Sequence, residues 1–204
     1  MKTALSVLAA VLIFVSCKKE DERKDIISMM DSRLHVFKYK KGSFWVYQND
    51  SSAVTDTITV TGTDSGFCWS PPPVHGSQGV KKDFYTVKLK SSVTSGGFNY
   101  YLNSVGIRMN GGGSFCELGQ FIYSVTGHGG DGLTTLDTLS SLTVNGHTFT
   151  HVTKVKITAS EQYQHVFDTD TYLYFTDSIG LIRKEIETTS GIETWSIKTW
   201  NIIR

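Results

Sequence analysis

The 204 residues carry 20 Lys+Arg against 19 Asp+Glu, and 12% of them are aromatic. This near-neutral balance removes the electrostatic case for a nucleic-acid partner or a general affinity for acidic surfaces. The length suits one domain able to bury a core without help from a metal.

In chain order the first element is a leader. Lys2 precedes an apolar block from Ala4 to Val15, about twelve residues long, as in a secretory signal. A bilayer span takes about 20 apolar residues, and here the charged run Lys18-Lys19-Glu20-Asp21-Glu22-Arg23-Lys24 follows almost at once. The spacing therefore predicts a segment that is removed. Phe14-Val15-Ser16-Cys17 resembles the lipobox of bacterial lipoproteins, with Phe14 where Leu is commonest. The resemblance implies cleavage after residue 16 and acylation (palmitate-type chains) of Cys17, which anchors the chain to a membrane. Lys18-Lys19-Glu20-Asp21-Glu22 looks like the export signal of Bacteroidota-type surface lipoproteins. It implies a place in the outer membrane, exposed at the cell surface, with the periplasmic face as the alternative.

Loss of Lys2 leaves 19 Lys+Arg against 19 Asp+Glu, and acylation of Cys17 leaves Cys68 and Cys116 as a pair. In an oxidising compartment a disulfide is the default; it would close a loop of about 49 residues and contribute about 3–4 kcal/mol. Two thiols held apart on unrelated strands are the competing reading.

Residues 17–33 read as a flexible charged tether, with order expected from Leu34, and 34–204 as a single β domain. Thr, Val, Ile, Tyr, Phe and Trp dominate that domain, interrupted by Gly, Asn, Asp and Pro clusters, a pattern of short strands. The expected strands are 34–40, 43–49, 54–62, 80–90, 97–109 with a break near Gly106, 114–126, 135–144, 147–159, 170–177, 179–189 and 192–203. Within 147–159, Phe149, Val155, Ile157 and Ala159 share one parity and Thr148, Thr150, Lys154 and Lys156 the other, which is the one-sided burial of an antiparallel sheet. Asn145-Gly146 and Thr189-Ser190-Gly191 read as hairpin turns. Pro71-Pro72-Pro73, Asn110 to Gly113 and Gly127 to Gly132 read as loops. The expected fold is all-β: a strongly curved antiparallel sheet, half-barrel or sandwich-like, with little helix.

Lys41-Gly42-Ser43-Phe44-Trp45-Val46-Tyr47 and Tyr174 to Lys184 resemble segments of uncharacterised Bacteroidota lipoproteins, as does the hairpin Val144 to Phe149. That resemblance implies a shared curved sheet and no known reaction. The closing pattern Gly180-Leu181-Ile182-Arg183 is also similar to that of half-barrel lipid carriers.

The chemistry-bearing residues form no specific constellation. His147 and His151 on one extended strand would lie about 13 Å apart, too far to share a zinc ion without a bulge. His128 beside Asp131, and Asp168 and Asp170 near His165, are generic acid–base neighbours. No nucleotide loop, serine-hydrolase elbow or zinc-protease motif is present, so the reading is non-enzymatic, with no metal or cofactor. Tyr100 with Tyr101, and Trp195 with Trp200, have opposite parity, so regular strands would turn one of each pair outward. Trp69, Tyr100, Tyr101, His128, Trp195 and Trp200 are the candidate ligand-binding residues. The expected role is non-catalytic binding of a glycan or protein, or accessory assembly, at the cell envelope; the alternative is a half-barrel carrier of an acyl chain or lipid.

Overall fold

Strand-forming composition and short turns lead to described residues that are mostly in strands. A computed structural model describes residues 26–70, 79–94, 97–102, 106–110, 120–124, 133–158 and 169–204. The leader, Cys17, Cys116, His128, Asp131, His165 and Asp168 lie outside the described residues. In chain order the elements are β1 (Ile26–Ser28), a 3₁₀ helix (Ser32–Phe37), β2 (Phe44–Asn49), β3 (Thr55–Ser70), β4 (Val80–Ser91), β5 (Gly97–Leu102), β6 (Gly106–Asn110), β7 (Gln120–Ser124), β8 (Leu133–Val144), β9 (His147–Ile157), β10 (Thr171–Thr176), β11 (Gly180–Thr188) and β12 (Gly191–Asn201).

The strands form one sheet in the order β7-β6-β5-β4-β3-β2-β12-β11-β10-β9-β8. Two antiparallel meanders are thus joined where β2 pairs with β12. β1 adds in parallel beside the first residues of β4, with Ile27 opposite Lys81. The sheet curls into a half-barrel, bringing Cα atoms of β8 within 8 Å of both β7 and β12. At the turn between β8 and β9, Asn145 (φ 48°) and Gly146 (φ 79°) adopt the left-handed geometry expected of Asn-Gly. The Asn145 side chain donates to the Ile197 carbonyl of β12 (2.9 Å).

Curling needs places where the ladder gains a residue. Register shifts occur at Val60/Gly62, Thr135/Asp137, Tyr174/Phe175 and Ile197/Thr199. The last corrects the expected parity of the tryptophans. Trp195 and Ile197 alternate normally, Lys198 is the extra residue, and Trp200 then pairs with inward-facing Trp45, so both tryptophans serve the inner face. His151 (φ 52°) interrupts the alternation of β9 without shifting its register against β8: the buried residues run Phe149, Val152, Val155 and Ile157, not on one parity throughout.

The inside of the curl is filled partly by the segment ahead of β2. Met30, Leu34, Phe37 and Tyr39 are all buried, which corrects two expectations: the tether does not extend to residue 33, and 34–40 is not a strand. A 3₁₀ helix aligns residues three apart, so Leu34 and Phe37 face inward together. Asp31 caps it by accepting from the Arg33 backbone N–H (2.9 Å).

Candidate ligand cavity

β2 offers Trp45 and Tyr47 on alternate positions, both buried. Opposite them β10 and β11 supply Leu173, Phe175, Leu181 and Lys184, while β12 contributes Trp195. β5 and β6 add Tyr100 and Ile107, and the end of the helical segment adds Phe37 and Tyr39. These side chains enclose a cavity of about 100 Å³. An apolar cavity of about 150 Å³ stays dry and accepts benzene, so the space as it stands takes a small apolar group.

The aromatic walls are fixed at their polar ends. Tyr39 Oη and Trp45 Nε1 both donate to the Ile179 carbonyl, at 3.0 and 2.9 Å. Tyr47 Oη donates to the Leu181 carbonyl at 2.8 Å. The Tyr39 and Trp45 rings meet edge to face at 4.7 Å, a favourable aromatic arrangement. Gly180, between those two carbonyls, has φ +97°, and a Cβ there would lie 2.4 Å from Tyr39 Oη. Only glycine permits both the turn and the close approach. Burial pushes the phenols of Tyr39, Tyr47 and Tyr100 upward in pKa, so all three remain neutral.

Two charged residues enter this lining, Asp56 and Lys184. Asp56 Oδ1 accepts from Ser91 Oγ (2.8 Å) and from Ser92 N (3.0 Å) and Oγ (3.2 Å). Lys184 stands between Leu173 and Trp195 in the ladder, with Nζ 5.6 Å from the centre of the indole. Burial lowers its pKa, against the opposing pull of Asp56 and Glu193.

Of the residues singled out in the sequence, Tyr100 and Trp195 line the cavity. Trp200 sits elsewhere on the inner face, 5.0 Å from the His147 ring and 5.6 Å from Phe149. Trp69 lies near the far end of β3 and is 57% exposed. The side chains of Tyr101 and of β7, like His128, fall outside the described residues. Cys68 is disulfide-bonded, and its expected partner Cys116 is not among the described residues. His147 and His151 are exposed. Asp170 forms an ion pair with Lys156 at 2.6 Å. Sequence reasoning assigned none of the other lining residues to a binding site, Phe37, Tyr39, Trp45, Tyr47 and Lys184 among them. Parity did not mark Lys184, because Leu181, which shares the lining, stands on the other side of the register shift at Ile182.

No family model matches this chain, and no curated protein does. Among solved structures, the Mycobacterium tuberculosis lipoprotein LppX is similar at 14% identity, over 83% of this chain and 91% of that one, with a TM-score of 0.30. A likeness so shallow carries no argument about what this chain binds.

Proposed function

We propose that this protein is a non-catalytic binder of a small apolar or amphipathic molecule, held in the half-barrel and tethered to the cell envelope through an acylated Cys17. The observation that carries the binding reading is the cavity itself. The hydroxyls of Tyr39 and Tyr47 and the indole N–H of Trp45 are satisfied by carbonyls at the β10–β11 turn and the start of β11, so these rings leave their faces for an apolar guest. The cavity accepts one end of such a molecule, and the remainder lies toward its opening. Because Trp45 and Trp195 form part of the wall, occupancy is read from intrinsic fluorescence. Titration with 1-octanol is expected to give a saturable change with one site per chain; no change up to the solubility limit would overturn the reading. The anchor is tested separately: Cys17→Ala should move the protein from membrane to soluble fractions, and unaltered fractionation refutes the tether.

A further inference from the structure

Inner and outer cations of β9–β11 differ in how they are satisfied. On the outer face Arg183 pairs with Glu185 at 2.9 Å and Lys156 with Asp170 at 2.6 Å. Lys154 lies about 5 Å above the Tyr172 and Tyr174 rings. Lys184 has neither an ion pair nor a hydrogen bond among the described residues. The nearby carboxylates are engaged elsewhere: Asp56 by Ser91 and Ser92, and Glu193 by Asn49 Nδ2 (2.9 Å) and Trp195 Nε1 (2.7 Å).

An ammonium half-buried in this wall with no ion pair or hydrogen bond is costly to the protein, and the Trp195 ring and the field of Asp56 and Glu193 offset only part of that cost. A ligand bringing its own anion to that point would recover the cost as a charge-assisted hydrogen bond. Resting on the cavity reading above, we propose that Lys184 makes the site selective for amphiphiles with an anionic, carboxylate-type head, the tail lying against Trp195 and Tyr100 and the head meeting Nζ. The indole beside Nζ holds the lysine stem in place, so little side-chain freedom is lost when the anion arrives.

Three probes sharing one tail test this: octanoate, 1-octanol and octylammonium. Wild-type protein is expected to bind octanoate about 10- to 100-fold more tightly than octanol, the range for a charge-assisted hydrogen bond, and octylammonium most weakly. In Lys184→Met the ratio of octanoate to octanol affinity should fall to about one, whatever the change in either affinity alone, with the melting temperature confirming that the variant is folded. If octanol and octanoate bind the wild type equally, the assignment to Lys184 fails and the cavity reading stands. Binding of none of the three defeats the cavity reading and this inference with it. An octanoate preference surviving in Lys184→Met also overturns the role of this side chain.

Discussion

The two ends of the β3–β4 ribbon present the same face to very different surroundings. Near β2, Val60 on β3 and Val87 and Leu89 on β4 are buried. Farther along, Phe67 and Trp69 continue that face, cross-strand from Asp83 and Lys81, yet are 56% and 57% exposed. Ile27 of β1, opposite Lys81, is 59% exposed as well. Alternation decides which side of a ribbon a residue takes. Whether that side is buried depends on where the sheet curls and on what the helical segment reaches, so identical local patterns contribute very differently to stability.

Substitutions on this ribbon break or sharpen the contrast. The largest effect is expected from Leu89→Ala, which empties a fully enclosed position and should cost about 3 kcal/mol, a fall in Tm of roughly 10 °C. Thermal unfolding followed by far-ultraviolet circular dichroism measures it. A change of only 1–2 °C, about 0.5 kcal/mol, would mean that the buried end contributes no more than the exposed one.

Lys184→Met comes next, and with opposite sign. Burial lowers the folded-state pKa of this lysine below its ordinary value of 10.5, so between the two values the unfolded chain binds more protons and stability rises with pH. Below the folded pKa the protein carries the full cost of a buried charge. The methionine variant is therefore expected to be more stable by about 1 kcal/mol at neutral pH, an advantage that shrinks as pH climbs toward 10.5. Urea unfolding at pH 7 and pH 10 reads the difference directly. A variant less stable than wild type at pH 7 would show that Asp56 and Glu193 outweigh burial.

Much of the architecture was legible in the residues. The Asn145-Gly146 turn and an all-β curved sheet follow from turn chemistry and alternation. The cavity was less so, for two physical reasons. A bulge adds one residue and looks in sequence like a change of face, which is how Trp195 and Trp200 seemed to diverge. Leu34 to Tyr39 reads as a strand because its apolar residues suit either a period of two or a 3₁₀ turn, and the fit of Leu34 and Phe37 into the curl decides for the turn. Lysine at an inner position runs against the rule that charges face water. Local inconsistency of that kind is expected where function outweighs stability.

The smallest effect is expected at the exposed end. Phe67→Ala removes a ring already 56% accessible, so its loss should alter stability by no more than about 0.5 kcal/mol. Phe67 neighbours Cys68, which is disulfide-bonded, so its backbone is held independently of the ring and truncation has little leverage on the ladder. Measured beside Leu89→Ala by the same unfolding transition, the pair isolates curvature from alternation, since both side chains lie on one face of one ribbon. Equal losses from the two substitutions would mean that the far end of β3 is covered in the folded protein, and that the inner surface extends along the whole ribbon.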